Sequence, residues 1–208
     1  MNGYARTVPT TSSSARALAG GSRLDSGFTA LILGAFAFMW FGWGQAGASK
    51  ALGALLLVGS GVAFAVAAAG GVETFRNRHT PSAFSDEPTR RRYGAVVGIE
   101  SAAAFVGAAI LGGVGAGAYI PVWICAVTGL HFFPLSRVLK SPPVRALGVA
   151  VTAVAAGALL VGLVTNVAPG NVTGAGAGVA LIAFSALSLL GGWRGRVATE
   201  DLRLTQPG

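Results

Sequence analysis

The sequence predicts an all-α protein, a polytopic bundle that crosses a membrane six times and has both termini in the cytoplasm. Of its 208 residues, 53% are hydrophobic and only 11% are charged, whereas about 25% of the residues in an ordinary soluble domain are charged. Six segments are long and apolar enough to span a bilayer, which takes about 20 helical residues. The basic residues lie almost entirely on one side of that arrangement.

The composition excludes several classes of protein. A mean hydropathy of +0.66 with so few charges does not fit a soluble enzyme, a disordered chain or a nucleic-acid-binding module. The net charge of +8 comes from basic loops between apolar segments, which is how membrane proteins set their orientation. Cys125 is the only cysteine, so an intramolecular disulfide and CxxC redox chemistry are also excluded.

Residues 1–24 are rich in Ser, Thr, Gly and Arg and contain no apolar run. They bury too little surface to offset the entropy lost on ordering, so we expect a disordered cytoplasmic tail. The absence of an apolar core before a cleavage site argues against a signal peptide. A six-helix transmembrane domain should then occupy residues 25–193, followed by a second cytoplasmic tail at 194–208.

The apolar runs place the six spans in order along the chain, and they show no alternation of the kind that strands require. The predicted spans are 27–46, 51–71, 94–113, 115–133, 144–164 and 172–193. Pro134 should end the fourth span, and Pro142 should open the fifth, where proline is tolerated. The short joint at Gly112 and Gly113 predicts that the third and fourth spans form an antiparallel hairpin.

Charge fixes the expected orientation. Six spans place four segments on the same side of the membrane: the N-terminal segment, the loop between spans two and three, the loop between spans four and five, and the C-terminal segment. Almost all basic residues lie in these four segments. These basic residues are Arg6, Arg16, Arg23, Arg76, Arg78, Arg90, Arg91, Arg92, Arg137, Lys140, Arg145, Arg194, Arg196 and Arg203, and only Lys50 falls on the other side. By the positive-inside rule this predicts a multi-pass protein of the cell inner (plasma) membrane. Anionic lipid headgroups should contact the basic loops.

Glu100 is the acidic residue that lies well inside a span. A charge there costs about 2.5–3.5 kcal/mol on insertion scales, so such a residue faces the bundle interior and is usually functional. It lies six residues after Gly94, about 9 Å into the span, and His131 lies at a similar depth on the antiparallel neighbour. We expect Glu100 to be a catalytic proton donor, with His131 or Glu73 tuning or reprotonating it. A buried structural hydrogen bond and a headgroup-wetted His131 are the alternatives.

Large aromatic residues crowd the first span. A pocket lined by aromatic faces stabilises a carbocation or a quaternary ammonium group, while an interfacial aromatic belt is the plainer explanation. The residues expected to bind substrate in this way are Phe36, Trp40, Phe41, Trp43 and Trp123. Arg92, in the basic run before the third span, either sets topology or clamps a phosphorylated substrate.

The residues that hold metals are sparse. Asp86 and Glu87 stand alone in a loop, so no carboxylate cluster is present to hold Mg²⁺ on a diphosphate. The two histidines, His79 and His131, are too far apart in sequence to suggest a haem or di-metal site. We therefore expect no metal and no cofactor.

The layout resembles that of the small bacterial membrane-embedded terpene cyclases of drimentine- and xiamycin-type indole sesquiterpenoid pathways. The features that carry the resemblance are the aromatic run from Phe36 to Trp43, the intramembrane acid Glu100 and the missing metal motif. The resemblance implies protonation-initiated cyclisation of a farnesylated, lipophilic isoprenoid substrate. Fungal relatives of that chemistry use two acids on seven helices, and Glu73 is the candidate for a second acid in this chain.

Two other functions are consistent with the same residues. A small proton-coupled transporter would use Glu100 as a group that alternates between protonated and substrate-bound states. A membrane partner subunit would need no chemistry at all. The sequence leaves the substrate, the oligomeric state and the choice among these functions open, and it indicates no nucleic-acid partner.

The charge pattern predicts the location of the C-terminus. A C-terminal alkaline phosphatase fusion should be inactive and a C-terminal fluorescent fusion should be bright, because a cytoplasmic terminus exposes the reporter to the reducing compartment. A cysteine placed at Ser82 in a Cys125→Ser background should resist an impermeant thiol reagent in intact cells and react after lysis. An active phosphatase fusion would contradict the topology.

Overall fold

The computed structural model describes residues 11–80, 87–139 and 141–204, and within that part of the chain it is all-helical. The secondary structure consists of six α-helices and one 3₁₀ turn, Gly117–Tyr119, before the fourth helix. The helices are α1 (Thr11–Gly44), α2 (Lys50–Arg76), α3 (Glu87–Gly113), α4 (Ile120–Val138), α5 (Pro142–Val164) and α6 (Pro169–Leu204).

All six helices contain a stretch that is long and apolar enough to cross a membrane, which confirms the predicted number and order of long apolar helices within the described residues. The prediction that Pro134 ends the fourth span is wrong, because α4 continues through it to Val138. Proline removes one helical hydrogen bond, but membrane helices tolerate it where neighbouring groups satisfy the freed backbone.

The first and last helices extend beyond the predicted membrane domain. α1 begins at Thr11, inside the segment predicted to be a disordered tail, and it enters the span without a break. Ala, Leu and Arg, which are strong helix formers, are frequent between Thr11 and Leu24. α6 likewise continues past Trp193 as far as Leu204. The tail predictions for residues 1–10 and 205–208 lie outside the described residues.

The helices pack unequally. α1 lies between α2 and α6 and packs closely along both, while α4 packs along α5. Contacts between α5 and α6 join these two groups. α3 packs mainly on α4, and its apolar stretch contains no buried residue. The bundle therefore has five mutually supporting helices and one peripheral helix.

Glycines allow α1 to approach its neighbours closely. A Cβ atom added at Gly70 of α2 would lie 2.8 Å from the carbonyl oxygen of Gly27. One added at Gly34 of α1 would lie 2.8 Å from the backbone nitrogen of Ala67. Because apolar side chains gain little by leaving lipid for protein, such close backbone contact is a main source of helix association in membranes.

Buried polar side chains bind backbone carbonyls of neighbouring helices. The amide of Asn171 donates to the carbonyl of Gly44 at 2.6 Å and to that of Ala46 at 3.1 Å. The hydroxyl of Ser185 donates to the carbonyl of Ala30 at 2.8 Å. These bonds hold α6 against α1 at two positions along the helices. Ser185 therefore has a structural role in helix packing.

Candidate functional site

Glu100 and His131 meet between α3 and α4. The antiparallel arrangement of these helices brings Oε2 of Glu100 into contact with Nδ1 of His131. Both side chains are largely enclosed, with 17% of Glu100 and 12% of His131 exposed. The ring of Phe132 meets the imidazole edge to face, with ring centroids 4.7 Å apart. The two residues, which the sequence places at a similar depth, are therefore in contact.

The pair faces a cavity of about 160 Å³ near the end of the bundle where the basic loops lie. Five helices contribute to its wall. α3 presents Tyr93, Val97 and Glu100 at the i, i+4, i+7 spacing of one helix face. The remaining lining residues come from α1, α4, α5 and α6, namely Phe28, Thr29, Ile32, Leu33, Phe36, Thr128, His131, Phe132, Leu135, Leu139, Val144, Leu147 and Leu181.

The wall of the cavity is mostly apolar and partly aromatic. Four aromatic residues contribute to it: Phe28, Phe36, Tyr93 and Phe132. Thr29, Thr128 and the Tyr93 hydroxyl are the only polar groups that join Glu100 and His131 among the lining residues. An acid and an imidazole thus face a space that otherwise offers aromatic faces and aliphatic side chains.

The cavity is lined by residues of both α1 and α3, two helices that have little contact with each other within the described residues. Phe28 and Phe36, on the α1 side of the cavity, are 38% and 48% exposed. These two side chains of α1 are therefore only partly covered by the rest of the bundle.

The aromatic residues predicted on the first span do not form one pocket, because the helix distributes them around its axis. Phe36 lines the cavity. Trp40 and Phe41 are 5% and 3% exposed and belong to the hydrophobic core. Phe41 packs against Gly59 and Gly178, and Trp43 stacks on Trp40 with ring centroids 5.6 Å apart. Only one of these four side chains therefore faces the acid.

Three other residues singled out from the sequence also lie away from the cavity wall. Trp123 packs on Gly107 at the α3–α4 contact, where its indole N–H donates to the carbonyl of Ala103 at 3.1 Å. Glu73 lies on α2 and packs beside Gly27 of α1. Arg92 is exposed and does not line the cavity, although the next residue, Tyr93, does.

Sequence reasoning missed Tyr93, Thr29 and Thr128 as site residues. Tyr93 had a usable signal, since it lies seven residues, or two helical turns, before Glu100 and therefore on the same face. No sequence pattern marks Thr29 or Thr128 as a site residue, because both are ordinary small polar residues in apolar spans. Among the described residues, no group of three His, Cys, Asp or Glu side chains is close enough to hold a metal ion.

Comparisons with protein-family models, with curated proteins and with solved structures find no match for this chain. The functional interpretation therefore depends on the geometry of the cavity and of the Glu100–His131 pair.

Proposed function

We propose that the protein is a membrane-embedded enzyme that cyclises a lipophilic isoprenoid substrate after protonating one of its double bonds. The observation that carries the proposal is the contact between Glu100 and His131 at the wall of an aromatic cavity. An ionisable pair inside a membrane span is costly, and function is the usual reason for its presence.

Glu100 would supply the proton. Its Oε2 is held by His131, which leaves Oε1 to carry the proton that is transferred to an alkene carbon. The alkene π electrons form the new C–H bond, and the resulting carbocation is attacked by a second double bond to close the ring. Loss of a proton from the cyclised cation to the Glu100 carboxylate restores the acid. The cycle is balanced without an oxidant, a reductant or a metal, and His131 positions the carboxyl group.

The cavity wall suits a cationic intermediate. Aromatic faces attract cations by about 0.5–2 kcal/mol, more strongly when water is excluded. Phe28, Phe36, Tyr93 and Phe132 would supply such faces, and the aliphatic residues would keep water from capturing the cation. Of the aromatic residues predicted on the first span, Phe36 retains its proposed role in substrate binding. Trp40 and Phe41, which lie in the core, have a packing role instead.

The size of the cavity limits how much of the substrate it holds. Its volume of about 160 Å³ is below the roughly 300–1,000 Å³ of sites that enclose a whole drug-sized ligand. The reacting end of the isoprenoid chain would therefore occupy the cavity, while the rest of the molecule would lie between α1 and α3.

The proposal includes an orientation. The basic loops would face the cytoplasm, both termini would lie there, and the membrane would be the plasma membrane, as the charge asymmetry favours. The Glu100–His131 pair then lies in the cytoplasmic half of the bilayer, and the substrate enters from the cytoplasmic leaflet.

A proton-coupled transporter is the second candidate, because the first three helices and the last three pack in partly corresponding ways. The contact between α1 and α2 corresponds to that between α4 and α5. The contact between α6 and α1 corresponds to that between α3 and α4. Inverted repeats of three helices build many transporters. The correspondence is incomplete, because α5 packs on α6 while α2 has no comparable contact with α3. We therefore prefer the enzyme.

Replacing Glu100 tests the proton donor. Glu100→Gln preserves shape and hydrogen bonding but removes the acid, so product formation from farnesylated indoles in membranes should fall by about 10²- to 10⁴-fold, or about 3–5 kcal/mol. Glu100→Asp should retain a trace of activity. Ser101→Ala, an exposed neighbour on the same helix, is the control and should keep full activity.

Detergent stability of each purified variant separates catalysis from folding. Glu100→Gln should unfold at nearly the wild-type temperature. Full turnover in that variant would end the proton-donor assignment and leave Glu100 as a packing group. Substrate-driven proton uptake into proteoliposomes, without any new product, would favour the transporter.

Phe36 and Phe38 form a matched pair for testing the aromatic wall. Both lie on α1 and are 48% and 47% exposed, but only Phe36 lines the cavity, whereas Phe38 packs beside Phe64 of α2. Phe36→Leu should lower the cyclisation rate by about 2- to 30-fold, the loss of one cation–π contact, and should raise the share of uncyclised or hydrated products. Phe38→Leu should change neither quantity. Equal effects would show that the Phe36 ring has no special role.

A further inference from the structure

We propose that the C-terminal end of α4 and the N-terminal end of α5 form a binding site for a phosphate group, carried either by a membrane lipid or by free phosphate. A second cavity, of about 360 Å³, opens where these two helices meet. It is lined by Phe133, Ser136, Arg137, Ser141, Pro142 and Arg145. The apolar spans of α4 and α5 end at Val138 and begin at Pro142, so the cavity lies at the depth of lipid headgroups.

Two guanidinium groups dominate the chemistry of this cavity. Arg137, in the last turn of α4, and Arg145, in the first turn of α5, both line it, and both are exposed. Neither makes an ion pair with any other described residue. Arginine binds phosphate through paired N–H groups in a fixed planar geometry, and two such groups across one cavity match a phosphate with two or more free oxygens.

At the beginning of α5, side chains supply more of the hydrogen-bond donors for an anion than the backbone does. A helix N-terminus usually offers free N–H groups to an anion, but Pro142 and Pro143 occupy the first two positions of this helix and have none. The side chain of Ser141, the residue before the helix, makes no capping hydrogen bond. Its hydroxyl and the two guanidinium groups are therefore the side-chain donors open to a ligand, while the helix dipole still favours a negative charge.

The remaining walls favour an amphiphilic ligand. Phe133 and Pro142 give the cavity an apolar side next to the arginines. A phospholipid would place its phosphate between Arg137 and Arg145 and its glycerol and first acyl carbons against these two residues. A free phosphate ion would bind the arginines and the Ser141 hydroxyl without these apolar contacts.

This cavity is separate from the one that contains Glu100. The two share no lining residue, and they lie on different faces of α4. Phe133, Ser136 and Arg137 face the phosphate cavity, whereas Phe132 and Leu135 face the acid. The phosphate site therefore does not depend on the proposed cyclisation, and either proposal can fail without the other.

Binding to the purified full-length protein in a neutral detergent tests the site. Native mass spectrometry would be titrated with phosphatidic acid, with phosphatidylcholine as the zwitterionic comparison, and a separate titration would use inorganic phosphate. The variant Arg137→Gln/Arg145→Gln removes the guanidinium pair. Arg76→Gln/Arg91→Gln removes the same charge from two exposed residues elsewhere on the basic side, so it controls for diffuse attraction.

Wild type and the Arg76/Arg91 control should bind one phosphatidic acid saturably, and the Arg137/Arg145 variant should bind at least tenfold more weakly. Arg137→Lys/Arg145→Lys keeps the charge but loses the paired geometry, so it should fall between them. Because this variant keeps both charges, it also provides the test if the glutamine variant fails to fold. Saturable binding of inorganic phosphate with the same arginine dependence would identify free phosphate as the ligand.

Two results would overturn the proposal. Equal weakening in the two glutamine variants would show that binding follows net charge rather than a site. No saturable binding of either phosphatidic acid or inorganic phosphate to the wild-type protein would show that the cavity does not select phosphate.

Discussion

A polar group within the hydrocarbon region of a membrane has no water to bind, so it must find its partner inside the protein. This constraint explains where the polar side chains of the bundle lie. Asn171 and Ser185 bind carbonyls of α1 and its following turn. Glu100 and His131 contact each other across α3 and α4. The first two residues join helices that already pack closely, whereas the last two meet at the wall of a cavity.

The unequal packing of the helices explains why a cavity exists there. Glycines let α1 lie close to α2 and to α6, as at Gly70 and at the approach of Gly44 to Gly174. α3 has no such partner and packs mainly on α4. The cavity lined by both α1 and α3 lies where this packing is weakest, and in the proposed function a ligand from the membrane would enter there. An acid in such a space can reach a lipophilic substrate without exposing it to bulk water.

The sequence predicted the spans well because their length and hydropathy follow directly from bilayer thickness. It also placed Glu100 and His131 at a similar depth, since depth along two antiparallel helices follows from the rise per residue, but it did not determine whether the two side chains touch. It did not predict which aromatic residues face the cavity. A helix that is apolar all round has no polar stripe to fix its rotation, so Phe36, Trp40 and Phe41 look equivalent in sequence although they face different neighbours. The prediction that Pro134 ends the fourth span was wrong for a related reason, because the effect of a proline on a membrane helix depends on its surroundings.

In the proposed reaction, a proton from the protein starts the cyclisation in the Glu100 cavity. Carboxyl protons exchange with solvent between turnovers, so the reaction run in D₂O on farnesylated indoles gives a direct test. Mass spectrometry and NMR should find one deuterium per cyclised product, on the alkene carbon that gained the proton, and the label should disappear with the activity when Glu100 is replaced by Gln. A cyclised product that carries no deuterium would contradict protonation as the first step.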